Sequence, residues 1–311
     1  MTDKCSAACK ICCFSCTPNR KKLLSKERMK EYIRQANEIG TFNTVSYSGG
    51  EAILYYGQLK ECMEYAKSFG MKSTLVSNGF WGADYDKGYE MMKGLKNAGL
   101  SDISISVDQF HQEYVPLEAV KNAIRITEKL GVLSTLTAMD LADGKSSYDV
   151  MDRLRPEIYG KDIIVYPCFP AGAAGENIPE DQFIMACKPD TAICPYNNDI
   201  ITMFDGSMLM CCSQFSRDIP MTYLGRFETD ALLDIVENFN DNDFRYVLLQ
   251  KGFAFFTDLA RKLHVPLQGN YCVACHLCRE LFGNKAFVEA AEPYVTEEAD
   301  RMRVRKLLSV S

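Results

Sequence analysis

The feature that most restricts the fold is a regular alternation of strand and helix signals over residues 25–170. Leu24-Ser25-Lys26-Glu27-Arg28 opens a helix with Ser25 as N-cap, and Gly40, able to take a left-handed cap conformation, closes it. Thr44-Val45-Ser46-Tyr47 reads as a strand, 55–69 as a helix and 73–77 as the next strand. The string continues with helix 84–98, strand 102–107, helix 116–130, strand 132–138, helix 147–158 and strand 162–166. Short β-rich apolar runs separated by longer helices imply a parallel sheet of βα units, hence an α/β fold. An open doubly wound sheet and a partial or full barrel both satisfy this string.

The alternation stops near residue 180, in Gly175-Glu176-Asn177-Ile178-Pro179, and aromatic-rich helical stretches at 231–239 and 243–263 follow. This places a boundary between a domain of residues 1–180 and a smaller one of residues 181–311. With 24% charged residues, a net charge of −6 and only a short Lys/Arg cluster at 301–306, the chain is not expected to bind nucleic acid. It contains no run of 18 apolar residues, so no membrane partner is expected. Met1-Thr2-Asp3-Lys4-Cys5 lacks the apolar core of a signal peptide, and the expected location is cytoplasmic.

Fourteen cysteines in a reducing compartment point to metal or redox chemistry rather than a disulfide framework. Five lie within residues 5–16 and three within 272–278, with Cys187, Cys194, Cys211 and Cys212 between; isolated Cys62 and Cys168 read as small buried hydrophobes. The first group contains C-x₃-C-x₂-C twice, as Cys5/Cys9/Cys12 and as Cys9/Cys13/Cys16. Three thiolates in a short loop can hold three irons of a cubane and leave the fourth open to a small molecule. A structural zinc wants four closed ligands, and a zinc knuckle is the competing reading of the spacing.

The strand ends carry further signals. Ser48-Gly49-Gly50-Glu51 follows the 44–47 strand, where glycines allow close main-chain approach and a carboxylate complements an ammonium group. Ser77-Asn78-Gly79 ends the next strand, and Ser104-Ile105-Ser106-Val107-Asp108 the one after. Together with the cysteine triplet, these motifs resemble the radical SAM superfamily. The resemblance implies a partial (β/α)6 TIM-like barrel with a smaller α+β auxiliary-cluster domain. It also implies a [4Fe–4S] cluster on Cys5, Cys9 and Cys12. Gly49, Gly50, Glu51, Ser77, Asn78, Ser106 and Asp108 would then contact S-adenosylmethionine (SAM). Such enzymes have a full strand before the first cysteine, whereas four residues precede Cys5 here, so the register Cys9/Cys13/Cys16 stays open. In the favoured register Cys13 and Cys16 are accessory.

Cys194, eleven residues, Gly206, four residues and Cys211 match the opening of the SPASM and shorter twitch extensions of this superfamily. The segment reads as a β-hairpin, Ile200–Phe204 and Met208–Met210 about an Asp205-Gly206 turn. Tyr271-Cys272-Val273-Ala274-Cys275-His276-Leu277-Cys278 adds two C-x₂-C pairs. The resemblance implies one auxiliary Fe–S cluster, of [4Fe–4S] type, on Cys194, Cys211, Cys275 and Cys278, with Cys272 a substitute; zinc is the alternative. Cys212, next to a ligand on a strand, would point to the opposite face, where a free thiol could meet the barrel mouth; a second ligand or a packed cysteine is the competing reading. His111 is a candidate pocket residue, whereas His264 and His276 read as structural.

Among radical SAM enzymes, the chain is most similar to those that epimerise residues of ribosomally made peptides. The double cysteine Cys12-Cys13, Ser77–Gly82, Asp108-Gln109-Phe110-His111, Pro170–Ala174 and the Cys211-Cys212 pair carry that likeness. It implies α-hydrogen abstraction from an L-residue and return of hydrogen from the Cys212 thiol. It also implies a precursor peptide as substrate and a flavodoxin or ferredoxin as electron donor. A thioether or carbon–carbon crosslinking enzyme, and a non-catalytic Fe–S or zinc regulatory protein, are the alternatives.

Overall fold

Ser25 caps the first helix as expected, its hydroxyl accepting from Arg28 N at 3.3 Å in the computed structural model, which describes residues 1–142, 147–195 and 198–309. Gly40 ends that helix with φ of 77°, donating to Ala36 O, and Met29, Tyr32, Ile33 and Ala36 bury one stripe at helical spacing. The order is then α1 (Lys26–Ile39), β1 (Thr44–Tyr47), α2 (Tyr56–Ser68), β2 (Lys72–Ser77), α3 (Tyr85–Ala98) and β3 (Leu100–Ser106). After these come α4 (Leu117–Leu130), β4 (Leu133–Asp140), α5 (Ser147–Arg153), β5 (Asp162–Pro167) and α6 (Ala173–Asn177). The helix expected over 147–158 stops at Arg153, because Pro156 has no N–H and disfavours helical geometry in the residue before it.

The five strands form one parallel sheet in the order β1-β2-β3-β4-β5. Among the described residues this sheet has five strands, and no sixth full strand joins it. In its place, residues 1–4 run beside the end of β1: Met1 N donates to Ser48 O at 2.7 Å, Gly50 N to Thr2 O at 2.7 Å and Glu51 N to Lys4 O at 2.8 Å. Bridges from Thr2 to Leu23 and from Lys4 to Thr17 hold the segment on its other side.

The two faces of the sheet differ. Leu75, Ile103, Ile105 and Leu136 are at most 1% exposed and make the helix-covered face. The pleat puts Ser46, Thr74, Ser104, Ser106, Thr135 and Thr137 on the other face, where they are exposed or half-buried. Ser46 bonds Thr74 at 2.8 Å and Ser104 bonds Thr137 at 3.2 Å across neighbouring strands. Parallel sheets are usually apolar on both faces. A small polar face is what an open barrel interior requires.

The chain divides into two units, Met1–Phe183 with Phe204–Gly206, and Ile184–Met203 with Ser207–Ser311. The second holds an antiparallel sheet of β6 (Ile201–Thr202), β7 (Ser207–Leu209) and β8 (Tyr223–Arg226), in that order. The hairpin read from Asp205-Gly206 is present, with Gly206 at φ of 83°. Helices α7 (Leu232–Asn240), α8 (Asp243–Lys262), α9 (Ala274–Phe282) and α10 (Lys285–Ser309) complete the unit. Phe282 packs edge-on to Phe256 at 4.8 Å and to Phe244 at 5.8 Å in its core. No helix among the described residues is long and apolar enough to cross a membrane.

Candidate functional site

The cysteine loop, residues 5–16, meets the loops that follow β1, β2, β3 and β5, each of which touches it or the residues leading into it. Gly49 and Gly50 come first. A Cβ on Gly50 would lie 2.3 Å from Lys4 O, and one on Gly49 2.4 Å from Thr2 O, so only glycine admits the segment leading into Cys5. After β2, Asn78 Nδ2 donates to Ser6 Oγ at 3.0 Å and approaches Cys5 Sγ at 3.9 Å. After β3, Tyr114 OH donates to Ala8 O at 2.9 Å, and Lys10 Nζ stands 5.2 Å from the Phe110 ring centre. After β5, Ala173 N donates to Cys12 O at 2.9 Å. Gly172, at φ of 55°, packs so closely that a Cβ would meet Cys13 O at 2.3 Å.

Two buried carboxylates tie these loops together. Glu51 is 0% exposed and accepts from Asn78 N at 2.9 Å, Ser77 Oγ at 3.1 Å and Ile53 N at 3.3 Å. Burial raises its pKa to about 7, against the effect of those donors. Ser77 Oγ in turn accepts from Trp81 Nε1 at 3.1 Å. Asp108, also 0% exposed, accepts from Phe110 N, His111 N, His111 Nδ1 and Met139 N at 2.8–3.1 Å, joining the end of β3 to that of β4. Burial opposes charge on His111, but Asp108, Cys12 and Glu51 together outweigh it and raise the pKa. His111 therefore lies within electrostatic range of both the cysteine loop and the Gly-Gly-Glu turn. Ser106, half-buried, ends β3 in register with Thr137.

Cys5, Cys9 and Cys12 are close enough to oppose one another's ionisation. Burial pushes Cys5 up to about 11 and Cys9 higher still, with Cys12 adding to both. Cys12 moves the other way, to about 6, because the Cys16 thiol and the Cys16 and Phe14 amides hydrogen-bond its sulfur; Cys16 N lies 3.3 Å from it. Three crowded thiols that repel as thiolates suit a cationic iron centre, which offsets that repulsion. Among the described residues no three His, Cys, Asp or Glu side chains converge on a single ion. A cubane presents a separate iron to each thiolate, so its ligands stand further apart than those of one ion.

In the second unit, Cys194, Cys211, Cys275 and Cys278 lie within electrostatic range of one another, as do Cys187 and Cys212 of Cys275. Burial is the main cause of the raised pKa of Cys278, and Cys211, Cys275 and Cys194 add to it; burial likewise lifts Cys211 to about 12, with Cys275 and Cys194 contributing. Cys272 is 2% exposed, with its Sγ 3.5 Å from Met185 Sδ; burial pushes its thiol up to about 11, and Cys187 adds to the rise. Cys212 is held at about 12 by burial, with Asp199, Cys211 and Cys275 adding to the rise. His276 stacks on Phe215 at 5.6 Å, a packing role.

Sequence reasoning missed the clasp by residues 1–4, the Tyr114 contact and the link from Trp81 to Ser77. Gly172 was visible within Pro170–Ala174, but the close approach that requires it was not.

Residues 1–146 match the radical SAM superfamily. The chain is 27% identical over 304 residues to YydG of Bacillus subtilis (strain 168), whose name assigns it provisionally to peptide biosynthesis; the match covers 95% of this chain and 94% of that one. It is 29% identical over 168 residues to a GTP 3',8-cyclase of Aliarcobacter butzleri (strain RM4018), about half of each chain. A solved structure of native anSMEcpe with bound AdoMet and the Cp18Cys peptide superposes with a TM-score of 0.57 at 13% identity, over 97% of both chains, and so shares the fold.

Proposed function

We propose that this chain, whose first 146 residues carry a radical SAM domain, modifies a ribosomally made peptide by hydrogen abstraction, and that the modification is L-to-D epimerisation. The observation that carries the peptide reading is likeness along almost the whole chain to a protein named for peptide biosynthesis. In this reading Cys5, Cys9 and Cys12 hold a [4Fe–4S] cluster, and Cys194, Cys211, Cys275 and Cys278 an auxiliary one. Bound there, the cluster would pass one electron from an external donor to SAM, whose C–S bond would break to release methionine and a 5'-deoxyadenosyl radical able to take a hydrogen atom from the peptide.

The residues of the chain have distinct tasks. Glu51 and Asp108, each spent on inward hydrogen bonds, brace the loops around the cysteines rather than presenting a bare charge. Asn78 steadies Ser6 beside Cys5. Cys212 returns a hydrogen atom to the α-carbon from the opposite face, and its S–H bond breaks as the C–H bond forms. The resulting thiyl is restored by one electron from a flavodoxin- or ferredoxin-type donor and one proton. Burial beside Asp199 and Cys211 keeps Cys212 a thiol at neutral pH, the form that can give up a hydrogen atom.

The test is incubation with precursor peptide, SAM and reductant in heavy water. Epimerisation adds one deuterium per altered residue, and Cys212→Ala abolishes the label while 5'-deoxyadenosine still forms. A product two mass units lighter marks crosslinking and refutes epimerisation. An intact cluster that never cleaves SAM refutes the enzyme reading altogether.

A further inference from the structure

The turn after β3 contains an unexplained pair of side chains. Gln109 and Gln112 each bury both amide atoms, Oε1 and Nε2, without a hydrogen-bond partner, the only two side chains among the described residues to do so. A buried carboxamide with no partner keeps the whole desolvation penalty of its donor and acceptor, so such groups are rare unless something else completes them.

The turn itself is rigidly built. Asp108 gathers the Phe110 and His111 amides and the imidazole, Gln112 N donates to Asp108 O at 3.0 Å, and Val115 N donates to His111 O at 2.9 Å. These bonds wind 108–115 into helical turns, in which side chains three apart rise from one side. This spacing places Gln109 and Gln112 on one side of the turn. Their turn continues from Ser106, at the end of the open Ser/Thr face. Tyr114 and Phe110 tie the same turn to the cysteine loop.

We propose that Gln109 and Gln112 form a subsite for a peptide bond, each carboxamide pairing with a backbone C=O and N–H. The assignment rests on the reading that a peptide is the substrate. The chemistry favours it over the charged ends of SAM. Two neutral amides offer donors and acceptors in equal number, the complement of an extended main chain, whereas an ammonium or carboxylate calls for opposite charge.

The probe is N-methylacetamide, a single peptide bond, soaked into anaerobic crystals of the holoenzyme with and without SAM. The expected result is one molecule hydrogen-bonded to both carboxamides in either crystal, and none in the Gln109→Leu/Gln112→Leu protein. Without probe, the leucine protein should melt no lower than wild type, with a rise of roughly 1–2 °C from removing unpaired buried amides. Ordered water alone on the amides, or SAM atoms bonded to them, overturns the assignment. So does a leucine protein that melts several degrees lower, since the amides would then be holding the fold. If wild type never labels peptide in heavy water yet seats N-methylacetamide here, the reaction reading fails and the subsite stands.

Discussion

Glu51→Gln probes the buried carboxylate that joins two strand ends, and its effect should change sign with pH. Burial lifts the Glu51 pKa from 4.5 to about 7. The folded chain then binds more proton than the unfolded chain between those values, so stability is greatest below the window and is lost as pH rises through it. At 1.36 kcal/mol per pKa unit, the loss between about pH 5.5 and about pH 8.5 is ~2 kcal/mol. Glutamine has no such dependence. Its Oε1 can replace the oxygen that accepts from Asn78 N at 2.9 Å and Ser77 Oγ at 3.1 Å, but its Nε2 then faces the Ile53 N–H. That mismatch costs about 1 kcal/mol at every pH. The variant should be the less stable protein at the lower pH and the more stable one at the higher, read as a crossing of urea midpoints at constant slope. A difference that stays the same at both pH values would refute the raised pKa.

Gly172→Ala drives a methyl into Cys13 O and strains a backbone at φ of 55°, together roughly 2–5 kcal/mol, so 5'-deoxyadenosine formation should fall at least tenfold; wild-type iron content and activity would count against the clasp. Asp108→Asn leaves buried donors around His111 and Met139 without a full set of acceptors and should cost about 3 kcal/mol by chemical denaturation; a loss under ~1 kcal/mol would remove its bracing role. Gly252 stands at φ of 69° inside α8, and a Cβ there would meet nothing within 4 Å. Gly252→Ala should therefore cost only the backbone strain, roughly 1–3 kcal/mol by urea denaturation; a neutral result would show that the helix reshapes there.

The helices and strands of the first unit were readable because their signals are local. Ser25 and Gly40 mark the ends of α1 within a few residues of the bonds they make. The alternating Ile103 and Ile105 announce a strand with one apolar face. The α5 error has a local cause as well, the proline at position 156 cutting a periodic pattern short. The cysteine groups were equally visible, since C-x₃-C-x₂-C and C-x₂-C spacings lie within one loop or helical turn.

What the sequence determined by itself is thus the βα alternation, the cysteine spacing and the glycines at strand ends, all consequences of backbone geometry over a few residues. The tertiary structure alone decided which groups meet. It turned Glu51 inward onto Ser77 and Asn78, 26 and 27 residues away, and brought Tyr114 across 106 residues to Ala8. It also set Cys272 Sγ 3.5 Å from Met185 Sδ, 87 residues away. Those partnerships depend on strand order and register, which arise from burying one face of the whole sheet and which no short stretch of sequence encodes.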